Sequence, residues 1–275
     1  MNYRHAFHAG NHADVFKHAA LTLVVERLLE KPQPFAVLDT HAGIGLYDLT
    51  SDEARRSPEY LEGAARLMGR ELASAPGYAR LLQAMNPDGL KAYPGSPEIV
   101  RRLMRPDDRL ILCELHPADA AELKARYLSD ERVAVHRRDG YEAIGGLLPP
   151  TPRRGLVLID PPFERTDETA RLVRALQTGL KRWPTGIFMA WHPSKDPAVA
   201  RALRAAAEAG GWPKALHAEL TPYGADEASL PGGGLLIVNA PWKLDEALES
   251  LCEELSRVLG NGSGSWLVDE LTRAG

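Results

Sequence analysis

The sequence predicts an α/β protein, a doubly wound and mostly parallel sheet, on three observations. Short apolar runs recur along the chain and close on polar or acidic residues, at 35–39, 109–114, 132–136, 155–160 and 186–191, with two more at 214–220 and 234–239. These seven runs are apolar throughout rather than alternating, as in strands buried on both faces. Helical stretches such as 167–180 and 197–209 separate them, the pattern of strands joined by crossover helices. Finally, Asp-Thr-His-Ala-Gly-Ile-Gly at 39–45 follows the first run directly, a strand–turn–helix junction that lets a ligand approach the backbone.

The composition narrows the class further. At 275 residues, 44% hydrophobic and 25% charged, the chain is long enough for one large domain or one domain with an insertion. A mean hydropathy of −0.26, and no apolar run near the roughly 18 to 20 residues that span a bilayer, exclude a membrane protein. The start, Met-Asn-Tyr-Arg-His-Ala-Phe-His, has no apolar stretch of the kind signal peptides carry, so a cytoplasmic location is expected. Two cysteines, Cys113 and Cys252, fit a reducing compartment and no disulfide framework. Asn261-Gly262-Ser263 matches a glycosylation sequon by chance on this reading. A net charge of −4 argues against coating nucleic acid without specificity, but allows an enzyme with a local basic face.

Two segments lie outside the strand–helix repeat. Residues 11–30 read as an amphipathic helix. Residues 50–104 show helical stretches at 58–72, 77–85 and 97–104 and no convincing strand. The expected organisation is a main domain of residues 1–49 and 105–275, with 50–104 a helical insertion subdomain at the active-site edge. Beyond Gly260, Asn-Gly-Ser-Gly-Ser suggests a mobile connection to a short terminal segment.

Ligands of such sheets bind at the carboxyl ends of the strands, where Asp39, Glu114, Asp139 and Asp160 fall. Glu114 is placed to accept ribose hydroxyls, and Asp139-Gly140 to meet an adenine edge. Each acid reads equally as a helix cap or a loop charge. The loop at 39–45 lacks the spacing of a dinucleotide site; it is nearer the aspartate-x-glycine-x-glycine loop of S-adenosylmethionine enzymes, with His41 in place of one glycine. Asp160-Pro161-Pro162-Phe163 carries the most chemistry. Two prolines stiffen the turn and remove two N–H donors, leaving carbonyls as acceptors. Asp160 and the Pro161 carbonyl can then accept both hydrogens of an exocyclic amine while Phe163 stacks on its ring. A similar Asn239-Ala240-Pro241-Trp242 follows a strand expected to run the other way, and reads as the turn into a helix at 243–258. Four histidines among residues 5–18 suggest zinc, but no ligand pair with zinc spacing joins them, so no metal is expected.

These motifs resemble the family of bacterial 23S ribosomal RNA adenine-N6 methyltransferase J over nearly the whole chain. The resemblance is carried by Tyr-Arg-His-Ala-Phe-His-Ala-Gly-Asn-His-Ala-Asp-Val at 3–15, Leu-Asp-Thr-His-Ala-Gly at 38–43, Glu-Tyr-Leu-Glu-Gly at 59–63 and Tyr-Pro-Gly-Ser-Pro at 93–97. Glu-Leu-His-Pro at 114–117, Asp-Gly at 139–140, Asp-Pro-Pro-Phe at 160–163 and Pro-Trp-Lys-Leu at 241–244 extend it. It implies a Rossmann-like class I methyltransferase with a seven-stranded, mostly parallel sheet, using S-adenosyl-L-methionine to methylate an adenine N6 in 23S rRNA. By that resemblance Lys17, His18, His41, Ser96, Glu114, Asp139, Gly140 and Asp160 contact cofactor. Asp160 is the catalytic acceptor, supported by Pro161 and Phe163, and Tyr3 and Arg4 face substrate. The family commonly has tyrosine where Phe163 stands, so a hydroxyl contact is absent here. A single chain is expected to act as a monomer. Three other functions stay open: a DNA adenine methyltransferase, a protein-glutamine methyltransferase, and a non-catalytic RNA-binding assembly factor. A basic patch of Arg4, Arg101, Arg102, Arg105, Arg137 and Arg138 is expected beside Asp160, opposite acids Glu249, Glu253 and Glu254.

Overall fold

A computed structural model describes residues 4–223 and 230–271. The main sheet contains β1 (Ala36–Asp39), β4 (Arg109–Glu114), β5 (Val133–Arg137), β6 (Gly155–Ile159), β7 (Ile187–Pro193), β8 (Leu216–Thr221), β9 (Gly233–Val238) and β10 (Ser265–Glu270), in the order β10-β8-β9-β7-β6-β1-β4-β5. The strands from β7 to β5 in this order are parallel to one another; β9 and β10 run against their neighbours. This is the doubly wound, mostly parallel α/β architecture that the sequence predicts. β2 (Leu46–Asp48) and β3 (Ala92–Pro94) make a separate two-stranded ribbon.

Adjacent residues of one strand point to opposite layers. Val37, Leu110 and Leu158 join α1 (His12–Leu29) and α9 (Leu244–Leu259) on one face. Leu38, Val157 and Phe188 join α6 (Gly140–Leu147), α7 (Glu168–Arg182) and α8 (Pro197–Gly210) on the other. Both cysteines are buried and free. No helix among the described residues is long and apolar enough to cross a membrane.

The structure corrects four expectations. Residues 265–270 of the tail form an eighth strand, β10, paired along β8; at the sheet edge its residues are exposed or half-buried and make no apolar run like those of the centre. A strand, β3, lies within 50–104. The helix expected at 58–72 is two short 3-10 turns, Glu59–Glu62 and Ala64–Leu67. Gly63 separates them because it packs on the N-terminal backbone: a Cβ there would sit 2.1 Å from the Gly10 carbonyl oxygen, to which Ala64 N donates. Lastly, α1 is buried on almost every face rather than amphipathic, being enclosed by β9, α3 (Pro76–Met85), α4 (Ser96–Leu103) and α9.

Candidate active site

The carboxyl edge of the parallel strands opens into a cleft of about 860 Å³. Lys17, His18, His41, Ser96, Glu114, Asp139, Gly140, Asp160, Pro161 and Phe163 all line it, so residues spread over the sequence converge as expected. Arg4 stands at its border, 3.6 Å from the lining residue Asp119. Tyr3 lies outside the described residues.

The loop after β1 turns sharply because Gly43 and Gly45 adopt φ values of 60° and 80°, which favour glycine. Its backbone is tied to the next strand: Gly43 N donates to Glu114 Oε2 at 2.9 Å, and His116 N to Glu114 Oε1 at 2.7 Å. Each oxygen keeps acceptor capacity, and burial pushes the Glu114 carboxyl upward. Asp39 turns inward instead, accepting from Ser96 Oγ at 2.6 Å and His41 N at 3.2 Å. Burial moves its carboxyl up to about 7. His41 is pushed down to about 4 and His18 to about 3, each by burial, so both are neutral imidazoles at pH 7. His18 Nδ1 lies 2.8 Å from the Tyr93 hydroxyl.

Asp139 combines two of its possible roles. It caps α6, with Oδ1 accepting from Tyr141 N at 2.8 Å, while Oδ2 accepts from Arg171 at 3.0 Å. Arg171 also lies over the Tyr141 ring at 4.5 Å, and Tyr141 donates to Glu168 at 2.8 Å. Gly140 lets this helix end reach the β1 loop, since a Cβ would fall 2.1 Å from the Thr40 carbonyl.

Asp160 follows β6, and its Oδ2 accepts from Lys17 Nζ at 2.5 Å. Lys17 also donates to Asp14 Oδ1 at 2.9 Å. Burial alone would lower the ammonium's pKa, but the charges of Asp14 and Asp160 reverse this and raise it. Phe163 takes φ of 51°, a left-handed conformation costing on the order of 1 kcal/mol for a residue with a side chain. Its ring stands edge-on to Trp191 at 5.8 Å.

The family model described as Ribosomal RNA large subunit methyltransferase D, RlmJ matches residues 32–272. The chain belongs to the RlmJ family. Two relatives support that placement along their full length. A protein of Escherichia coli named Ribosomal RNA large subunit methyltransferase J is 40% identical, covering 98% of this chain and 100% of its own. One of Haemophilus influenzae with the same name is 37% identical, covering 99% of both. A crystal structure of a Legionella pneumophila protein superposes with a TM-score of 0.87 at 32% identity, covering 96% of this chain and 98% of the other. Family and fold together imply a cofactor of the S-adenosylmethionine type.

The donor set suits such a cofactor. Ribose hydroxyls and an ammonium group donate hydrogen bonds, and the RlmJ cleft presents carboxylates at the ends of neighbouring strands. Glu114 is the best placed, because both its oxygens are fixed by backbone N–H groups yet remain able to accept.

Several cleft residues escaped the sequence reading of this family member. Asp14 had a local signal: it follows Asn11 by three residues, and Asn11 Oδ1 caps α1 by accepting Asp14 N. Trp191 closes the fifth apolar run but had no assigned part. Arg171, Tyr141 and Glu168 meet through tertiary packing, and no spacing announces them.

The basic patch needs correction. Arg101 and Arg102 pair with Glu98 at 2.8 and 2.6 Å, and Arg105 pairs with Asp108 while donating to the carbonyls of Lys31 and Gln33. They sit at the opposite edge, because α4 begins beside Asp39 and runs antiparallel to the strands toward the start of β4. Arg137 and Arg138, ending β5, stay on the carboxyl edge. Glu254 is also engaged, accepting from Ser74 Oγ at 2.6 Å and from the backbone of residues 73 and 74. Asn239 ends the antiparallel β9 at the far edge, donating to the carbonyls of Pro184 and Gly186.

One group of metal-type donors occurs among the described residues: His192, His217 and Glu219. The two rings are nearly coplanar, at 10°, with centroids 5.2 Å and Nε2 atoms 3.0 Å apart. Their lone-pair axes therefore point at one another, the geometry of an N–H···N hydrogen bond rather than of a shared ion. Arg204 lies 3.2 Å from His217 Nδ1 and can only donate there, which leaves the proton on His217 Nε2.

Proposed function

We propose that the chain transfers a methyl group from S-adenosyl-L-methionine to the exocyclic N6 of an adenine in 23S rRNA. The observation that carries this reading is the Asp160-Pro161-Pro162-Phe163 turn at the cleft, in a chain whose RlmJ relatives are named as ribosomal RNA large subunit methyltransferases. When bound, the cofactor supplies an electrophilic methyl on a sulfonium centre. Glu114 and Asp139 hold its nucleoside, with His41 and Gly140 shaping the wall between them, and Ser96, Lys17 and His18 bound the remainder of the site. Asp160 and the Pro161 carbonyl accept the two N–H bonds of the adenine amine, turning its lone pair out of the base plane, and Phe163 stacks on the base. The work of the residues is orientation and electrostatics; no metal takes part.

Residues 1–49 and 105–275 form the transfer domain, and 50–104 the insertion, whose last helix returns Ser96 to the cleft. Every described site residue comes from one chain, so a monomer working in the cytoplasm suffices, with Arg4 on the substrate side. The test is mass mapping of rRNA nucleosides from cells with and without the protein, beside methyl transfer to purified RNA, DNA and protein. Loss of one N6-methyladenosine from 23S rRNA is the expected outcome. Methylation of DNA or glutamine instead would replace this reading, as would cofactor binding without transfer to any of the three.

A further inference from the structure

The buried ion chain behind Asp160 has a use that cofactor contact alone does not explain. Asp14 is 2% exposed, and its carboxylate is fixed on both oxygens: Oδ2 accepts from Gly10 N at 2.9 Å and lies 2.9 Å from His5 Nε2, while Oδ1 accepts from Lys17 Nζ at 2.9 Å. The charges of His5 and Lys17 outweigh burial and hold Asp14 well below the usual carboxylate range. Lys17 follows Asp14 by three residues on α1, hence on one helix face, and passes its second hydrogen bond to Asp160 Oδ2. A lysine stem has four rotatable carbons; here both its ends are fixed.

From this we infer that Asp14 is a positioning residue for the acceptor carboxylate, acting through Lys17. The inference rests on the methyltransferase reading above. With Oδ2 held by Lys17, Oδ1 is the acceptor left for substrate, and the second N–H of an exocyclic amine goes to the Pro161 carbonyl. The two hydrogens are thus drawn to different groups, which favours a pyramidal nitrogen. A freely turning carboxylate could instead take both hydrogens in the base plane and keep the amine flat. Asp14 acts at one remove, by keeping Lys17 aimed and by leaving the Asp14–Lys17–Asp160 chain with a net negative charge toward a cationic cofactor. Misplacement of about 1 Å in such a site costs roughly 100-fold.

The experiment is a double-mutant cycle between Asp14→Asn and Asp160→Asn, read by single-turnover methylation of 23S rRNA at saturating cofactor, with cofactor and RNA affinities measured separately. Asp14→Asn should slow the wild-type turnover by roughly 10- to 100-fold and shift neither affinity by more than about twofold. In the Asp160→Asn background the same change should cost less than about twofold, since a positioning residue has nothing left to position. Lys17→Arg, which keeps charge and donors, should recover more rate than Lys17→Met, and unfolding midpoints exclude any variant that is not folded. Equal losses from Asp14→Asn in both backgrounds, or a loss confined to affinity, would overturn the inference. Failure of the wild-type chain to methylate RNA, or full turnover by Asp160→Asn alone, would strike the functional reading instead.

Discussion

The two edges of the sheet handle charge in opposite ways. At the amino-terminal edge four arginines find an acid within four residues of themselves: Arg101 and Arg102 take Glu98, Arg105 takes Asp108, and Arg132 takes Asp130, while Arg109 and Arg154 donate to backbone carbonyls. At the carboxyl edge the partners are remote, with Lys17 and Asp160 separated by 143 residues, Gly43 and Glu114 by 71, Ser96 and Asp39 by 57, and Arg171 and Asp139 by 32. The partners at the amino-terminal edge are close in the chain and their arginines are partly exposed, although Glu98 and Asp108 are themselves buried; exposed pairs between helix neighbours contribute about 0.3 to 0.5 kcal/mol. They discharge a basic run without giving it a task. A remote buried pair exists only in the finished fold, so it marks the place where the fold was arranged around charge.

Removing a cation from each edge should expose this difference most clearly. Lys17→Met leaves buried Asp14 and half-buried Asp160 without their shared partner, and breaking a buried pair costs about 3 to 5 kcal/mol. Arg101→Ala should stay within about 0.5 kcal/mol of wild type. Urea unfolding of the two variants checks the contrast, and equal losses would show that burial at the cleft has no special weight.

Asp160→Asn tests chemistry at the same edge. Asparagine accepts one hydrogen bond but lacks the charge that stabilises a nitrogen becoming cationic. Single-turnover methylation should fall roughly 100- to 1,000-fold, while calorimetric cofactor affinity stays near wild type. Wild-type turnover would show that another group holds the amine.

The legible part of this molecule follows from that division. Strands buried on both faces write themselves as apolar runs, and the strand-end acids Asp39, Glu114, Asp139 and Asp160 were visible because the fold rule places ligands there. β10 was not visible: its residues at the sheet edge are exposed or half-buried, so no continuous apolar run marks it, and its pairing partner β8 lies more than 40 residues upstream with β9 and α9 between them. The 3-10 turns around Gly63 were hidden because a backbone approach to Gly10, not local propensity, sets them. The arginine cluster misled for the converse reason. Its residue types suggested nucleic acid, but the direction of α4 and the nearby acids Glu98 and Asp108 decide where it lies and whether it is free. The motif at 3–15 was conspicuous as sequence, yet the service of Asp14 to Lys17 and Asp160 appears only when the fold brings the loop after β6 to the start of α1.

A further effect is expected from pH. Burial raises the Asp39 carboxyl from an ordinary 3.8 to about 7, so the folded protein holds this proton more tightly than the unfolded chain. Its contribution to stability is therefore fully present below about pH 4 and lost as pH rises through about 7. Asp39→Asn cannot titrate. The stability of wild type relative to this variant should decline by up to about 4 kcal/mol between pH 4 and pH 8, at about 1.4 kcal/mol per pKa unit, measured by urea unfolding at several pH values without cofactor. Parallel curves would mean that Ser96 and His41 compensate the buried charge fully.

The mildest test concerns the arginines themselves and asks which edge meets RNA. Arg137 and Arg138 are exposed at the end of β5, on the side of the cleft, whereas Arg101 and Arg102 are held by Glu98 across the sheet. Phosphate contacts release counterions, so each contact on single-stranded RNA adds about 0.7 to the magnitude of the log affinity against log salt slope. Alanine at both 137 and 138 should flatten that slope by roughly one unit and weaken RNA binding modestly, leaving cofactor affinity unchanged. Alanine at both 101 and 102 should leave the slope as it is, because those guanidinium groups already have a carboxylate partner and face away from the flipped base that the cleft must receive. The reverse result would move the RNA face to the amino-terminal edge. In that geometry a base could reach Asp160 only by passing around α4, so the slope measured for the two pairs decides between a substrate that lies across the strand ends and one that wraps the domain.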